Sequence, residues 1–160
     1  MAKWSEMDDL VRGDNVLLYL TSGKTVVAYA TSVSLQADAE TIDTSSKFSC
    51  KWASSLGGRA SYQISADALY SNNNSGVSFD SLLEMMVVGD PIEWYLGEEA
   101  AHSGTCETNP HVLDTAKTYY NGKGVVTSCS LEAGNNEIAS CSITITGAGE
   151  IQKNGANIGA

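Results

Sequence analysis

Two stretches of this chain alternate apolar and polar side chains with a period of two, and that pattern excludes an all-helical fold. Between residues 60 and 68, Ala60, Tyr62, Ile64, Ala66 and Ala68 are interleaved with Ser61, Gln63, Ser65 and Asp67. Nearer the carboxyl end, Ala139, Cys141, Ile143 and Ile145 keep the same spacing. Neighbouring side chains of a strand point to opposite sides of the sheet, so each stretch has one face to bury and one to leave in water. Residues 137–151 are expected to pair with 117–133 across the turn Gly134-Asn135-Asn136, with Val125, Thr127, Cys129 and Leu131 on one face. Val16, Leu18 and Leu20 predict a first strand. After the turn Ser22-Gly23-Lys24, a long and nearly uncharged second strand carries Val27, Tyr29, Thr31, Val33 and Leu35 on one face. Ile92, Trp94 and Leu96 predict a short strand.

Only one segment has helical spacing. Phe79, Leu82, Leu83, Met86 and Val87 form an apolar stripe, with Ser78 placed to cap its start, Gly89 to end it and Pro91 to prevent its resumption. Residues 36–57 lose the alternation and predict a polar loop of about twenty residues, where compact domains usually use about four to six. Loops of that length are usually functional or disordered. Residues 102–115 read as an irregular polar insertion, and 152–160 as a mobile arm of small residues. The expectation is a single domain over 1–151: mainly β, a β-sandwich or partly open barrel with one flanking α-helix.

A chain of 160 residues has room for one such domain and its core. Nine Lys and Arg against 19 Asp and Glu give a net charge of −10, which argues against a surface that grips phosphate. Hydrophobic content of 42% with 18% charge fits a folded chain and not a solvated tail. No apolar run approaches the ~18 residues that would cross a bilayer, so membrane insertion is not expected. The chain opens without the apolar segment of a secretory leader, so a reducing cytosolic setting is expected, with Cys50, Cys106, Cys129 and Cys141 as thiols. Cys129 and Cys141 flank the Asn135 turn symmetrically and could face each other; both are read as core residues, and the sequence leaves their pairing open.

Catalytic signals are thin. His102, Cys106 and His111 share the polar insertion and could ligate zinc, but structural zinc takes four ligands at tighter spacing, so exposed loop residues are the plainer reading. No Gly-x-Ser-x-Gly elbow is present for a hydrolase. Gly147-Ala148-Gly149 lacks the third glycine and following helix of a dinucleotide site and reads as a strand bulge. Trp4, Trp52 and Trp94 lack the basic groove that accompanies stacking on single strands. The acidic groups Glu6, Asp8, Asp9 and Glu98-Glu99 lack the periodicity of a calcium loop. Long, sparsely charged strands without a catalytic set suit an assembly subunit, because exposed strand edges can be satisfied by neighbouring copies.

Several motifs in order carry a more specific likeness. They are Val16-Leu17-Leu18-Tyr19-Leu20, then Leu35-Gln36-Ala37, then Glu40-Thr41-Ile42-Asp43-Thr44-Ser45-Ser46-Lys47. Trp52, Leu56-Gly57, the strand from Ser61 to Tyr70 and the helix from Phe79 to Met86 follow. Gly122-Lys123-Gly124-Val125-Val126-Thr127-Ser128 and Ser142-Ile143-Thr144-Ile145-Thr146-Gly147-Ala148-Gly149-Glu150 complete the series. In these motifs the chain resembles the major tail tube proteins of long non-contractile tailed bacteriophages. Residues 100–115 depart from the pattern.

The resemblance implies a fold shared with secretion-system tube rings, and hexamers that stack into a hollow tube for passage of duplex DNA during genome ejection. It implies that the 36–57 loop reaches a neighbouring subunit or ring through Thr41, Ile42, Asp43, Thr44, Ser45, Lys47 and Trp52, and that the terminal arms help join rings. It further implies tail terminator, tape measure and distal tail proteins as partners, assembly in the host bacterial cytoplasm, residence in the virion tail, and neither catalysis nor cofactor. Two alternatives stand beside it: a secretion-type tube ring, and a small metal-binding β-domain built on His102, Cys106 and His111.

Overall fold

The computed structural model describes residues 11, 13–21, 24–27, 30–47, 51–70, 77–100 and 111–158. A 3-10 turn at Gly13–Asn15 leads into β1 (Val16–Leu20), and β2 (Thr25–Val26) folds back on it. The long strands β3 (Ala30–Asp43) and β4 (Ser55–Leu69) form a hairpin. Then come α1 (Phe79–Val88), β5 (Ile92–Glu98), and a second hairpin of β6 (Tyr119–Glu132) and β7 (Ser140–Gly147). The short strands β8 (Gln152–Lys153) and β9 (Ala156–Asn157) complete the described chain.

All pair antiparallel in one sheet of order β2-β1-β5-β6-β7-β4-β3, with β8 added to β6 and β9 to β8. The sheet curls until β1, near one end of this order, lies beside β3 at the other, and Val77 bridges to Val27. The result is the mainly β, partly open barrel with one flanking helix that the alternation predicts.

One face of the curl is the core. Ile64, Ala66 and Ala68 of β4 and Cys141, Ile143 and Ile145 of β7 lie beside Leu18, Leu20, Trp94 and Val126, with Leu82 of α1 packed among them. Burying one large apolar side chain contributes about 1.5–3 kcal/mol, and none of the described polar or charged residues is fully buried. Trp94 donates its indole N–H to the Tyr62 hydroxyl at 3.3 Å, and that hydroxyl donates to the Lys123 carbonyl. The two rings meet edge to face at 5.5 Å. Tyr62 fits only because residue 147 is glycine: a Cβ there would sit 2.5 Å from its ring.

The helix occupies its predicted span. Gly89 ends it in the left-handed region (φ 76°), its N–H bonded to the Met85 carbonyl, while the Ser78 hydroxyl makes no capping bond. The predicted apolar stripe divides, however. Phe79, Leu82, Met85 and Met86 pack inward, whereas Leu83 (39% exposed) and Val87 (76%) face outward. Leu83 lies one residue past Leu82, about 100° further round the helix, so a contact centred on Leu82 cannot include it.

Four other expectations are corrected. The predicted long second strand is interrupted: β2 ends at Val26, Val27 makes an isolated bridge, and β3 begins at Ala30. Half of residues 36–57 is strand, because β3 runs on to Asp43 and β4 starts at Ser55, which leaves 44–54 between them; hydrophobic periodicity fades there because no core backs these residues, while backbone pairing persists. In β6 the predicted face breaks at a bulge, since Val126 pairs with Ile145 but Ser128 with Thr144. The extra residue, Thr127, shifts the phase, so Val126 faces the core before it and Cys129 after it, and Leu131 is exposed. Residues 152–157 form a hairpin in place of a mobile arm. The start of β6 outruns β7, and its open edge is taken by Gln152 and Lys153 opposite Asn121 and Tyr120.

Cys129 and Cys141 are free thiols, as expected of core residues. The register pairs Cys129 with Ile143 and Cys141 with Leu131, so the two are offset and not opposed. Burial pushes both thiols up, which leaves them protonated and inert at neutral pH.

Candidate assembly surfaces

The β3–β4 hairpin has two parts. β4 pairs with β7 only from Gln63 to Leu69, while its pairing with β3 continues outward through Ala39↔Ala60, Thr41↔Gly57, Ile42↔Leu56 and Asp43↔Ser55. Beyond residue 62 the hairpin is therefore a two-stranded ribbon, an arm without a third strand. A bulge between Ala39 and Thr41 bends it, and Gly58 lets the Glu40 carbonyl approach, since a Cβ there would lie 3.1 Å from that oxygen.

Local polar bonds close the far end of the arm. The Thr44 N–H donates to the Ser54 carbonyl at 2.9 Å, and the Thr44 and Ser54 hydroxyls share a bond of 2.8 Å. The Ser54 N–H donates to the Ser45 hydroxyl at 3.0 Å, and the Ser45 N–H to Asp43 Oδ1 at 2.8 Å. These bonds to Ser45 hold the Asp43 carboxyl below its usual range. Every residue implicated by the sequence, Thr41, Ile42, Asp43, Thr44, Ser45, Lys47 and Trp52, is exposed on this arm. Trp52 is 84% exposed, and Ile42 and Leu56, opposite each other in the register, are 56% and 62% exposed. These bare apolar side chains stand on a ribbon that pairs with no third strand.

A second surface was not named by the sequence reading. Opposite the core, the four strands β3, β4, β7 and β6 align polar side chains in rows. Ser32, Asp67, Ser142 and Ser130 form one; Ser34, Ser65, Thr144 and Ser128 form the next; Gln36, Gln63 and Thr146 continue the pattern. These rows carry no Lys or Arg. Asp67 accepts hydrogen bonds from the Ser142 hydroxyl at 2.6 Å and the Ser32 hydroxyl at 2.9 Å, which hold its carboxyl below the usual range. Charge and hydroxyl are thus fixed in a strand-backed, anionic and neutral pavement. The signal for it was the same period-two alternation, read from its polar side.

Of the three candidate zinc ligands only His111 is among the described residues. His111 stands at the base of the insertion, its Nδ1 bonded to Glu99, where Ala100 and Asp114 tie the insertion back to β5. His102 and Cys106 lie outside the described residues, and no group of three His, Cys, Asp or Glu able to hold a metal occurs among those described.

These features, a curled sheet with a projecting arm and rows of polar side chains opposite the core, coincide with a match to a known family. The family described as "Phage tail tube protein" matches residues 10–153. This chain belongs to that family. The tail tube protein is accordingly a structural component of a virion tail.

Among curated protein sequences none matches it. Solved structures with the same fold include the tail of an empty gene transfer agent particle, refined with C6 symmetry, at 19% identity and a TM-score of 0.69, over 89% of this chain and 98% of that one. The SPP1 tail tube is similar at 10% identity and 0.65, over 93% and 81%. The sheath–tube complex of an extracellular contractile injection system is similar at 11% and 0.62, over 96% and 98%.

Proposed function

We propose that this tail tube protein closes into hexameric rings that stack into a hollow tube, with the hydroxyl-rich face of β3, β4, β7 and β6 turned to the lumen. The rows that run from Ser32, Ser34 and Gln36 across β4 and β7 hold no Lys or Arg, with Arg59 and Lys123 only beyond their ends, and that carries the reading. Duplex DNA presents one negative charge per ~1.7 Å, and Lys or Arg along a wall would hold it by counterion release. A wall of Ser, Thr, Gln and Asp offers hydration without that grip, so cargo slides. The six-fold number rests on the symmetry of the similar gene transfer agent tail. Self-assembly uses the arm, whose Ile42, Trp52 and Leu56 are exposed apolar groups suited to a neighbouring subunit or ring. Tail terminator, tape measure and distal tail proteins would complete the tail, assembled in the cytoplasm of a bacterial host.

The test uses tubes assembled from the purified full chain and a short duplex DNA. Wild-type tubes are expected not to retain the duplex. Tubes of Gln63→Lys/Thr144→Lys should still assemble and should retain it in a salt-sensitive manner. Equal, negligible retention by both would show that this face does not line the passage. The likeness to an injection-system tube favours a second reading, a conduit for protein cargo; native particles containing protein effectors in place of DNA would decide for it.

A further inference from the structure

The arm needs a seat, and α1 offers one. Its outer side carries Asp80, Leu83, Glu84, Val87 and Val88, at the i, i+3, i+4 spacing of one helical stripe. Val87 and Val88 are 76% and 66% exposed although the opposite side of the same helix is already packed on the core. The exposed Leu83, Val87 and Val88 leave an apolar strip between Asp80 and Glu84 open to a partner.

The charges identify what covers it. Residues 44–66 contain no Asp or Glu and hold Lys47, Lys51 and Arg59. Residues 60–116 contain no Lys or Arg, and α1 with its following turn supplies Asp80, Glu84 and Asp90. None of these six takes part in an ion pair among the described residues, where the pairs are His111 with Glu99 and Lys117 with Glu98. One chain therefore presents two surfaces of matching chemistry: the far part of the arm, residues 44–59, with three cations and bare Trp and Leu beyond Glu40, Ile42 and Asp43, and an anionic helix face with bare Leu and Val. Two different patches that fit each other make a head-to-tail contact, the kind that propagates into rings or stacks. The acidic side chains disfavour an anionic lipid surface or a nucleic acid as the occupant.

We propose that the outer face of α1 is the docking site for the β3–β4 arm of a neighbouring copy. Ile42, Trp52 and Leu56 of one copy cover Leu83, Val87 and Val88 of the next. Lys47, Lys51 and Arg59 lie over Asp80, Glu84 and Asp90, where they set orientation and suppress wrong pairings. This rests on the tube reading and names the partner surface of its arm.

Two full-length variants test it: an arm variant, Lys47→Glu/Lys51→Glu, and a helix variant, Glu84→Lys/Asp90→Lys. Circular dichroism checks that each is folded. At low salt each alone should give at least about tenfold less pelletable polymer than wild type, because like charges face each other at every contact. Mixed one to one, they should recover to within about threefold of wild type, because the arm of each then meets a helix of opposite charge on the other. A helix variant that polymerises like wild type would overturn the inference and leave the tube reading intact, with the seat elsewhere. So would a mixture of folded variants that stays dispersed. Wild-type protein that never polymerises would count against the tube reading itself, and against this inference with it.

Discussion

The inner and outer halves of the β3–β4 hairpin share strands, register and turn, yet they do opposite things. In the inner half Ile64, Ala66 and Ala68 are buried against β7 and the core, while Ser65 and Asp67 face out. In the outer half Ile42 and Leu56 pair with each other and touch no third strand. Backbone pairing is thus independent of what a strand is for. A half with a third strand and a core beneath it contributes stability, and a half without them leaves its apolar side chains bare. The same division runs round α1, where Leu82 is buried and Val87 is bare.

The sharpest way to break this comparison is to make one substitution in each half. Ile64→Ala should lower unfolding stability by about 2–5 kcal/mol, the range for truncating a well-packed core side chain. Ile42→Ala should change it by less than about 0.5 kcal/mol, as surface positions do, yet should weaken tube formation. Denaturant unfolding and sedimentation together read both effects, and equal stability losses would erase the distinction.

Glycines give the next contrast. Gly147→Ala forces a methyl to 2.5 Å from the Tyr62 ring and should cost about 1–3 kcal/mol by overpacking. Gly57→Ala on the arm meets no atom within 4 Å, and thermal unfolding should register it as neutral to within about 1 kcal/mol.

The smallest effect concerns a buried hydroxyl. Tyr19 is fully buried on β1, and its hydroxyl has no hydrogen-bond partner among the described residues. Burial, with the nearby Glu99 charge, pushes its pKa up to about 12 from an ordinary value of 10.0. Between those values the unfolded chain gives up this proton and the folded chain keeps it, so stability falls as pH rises through that window. Tyr19→Phe should remove this alkaline loss and raise stability near neutral pH by about 1 kcal/mol. A variant less stable than wild type, with the same alkaline slope, would mean the hydroxyl is satisfied.

How much of this was legible depends on whether a core stood behind the residues. The alternations at 60–68 and 139–145 gave β4 and β7 their inward faces, and Gly89 marked the helix end, because each signal comes from burial or a local backbone need. The outer strands of the arm carry no such signal, because burial is what writes hydrophobic periodicity, and Ile42 and Leu56 are not buried within the chain. The bulge at Thr127 was invisible, since one extra residue changes phase without changing composition. The tail hairpin was missed because its strands are two residues each and form only where β6 leaves an edge open. Of the candidate surfaces, the motif from Thr41 to Lys47 lies on the arm, and the polar face is written in the same alternation as the core, on its Ser, Thr and Gln positions.

The central claim is that the polar face of β3, β4, β7 and β6 is the inner wall of a tube held together by the arm. A helical reconstruction of tubes grown from the purified chain tests it most directly. The account predicts six subunits per ring, a continuous lumen with Ser65, Asp67 and Thr144 on its wall, and each arm in contact with another subunit. A map in which those residues lie on the outer surface, or in which the arms point into solvent, would contradict it.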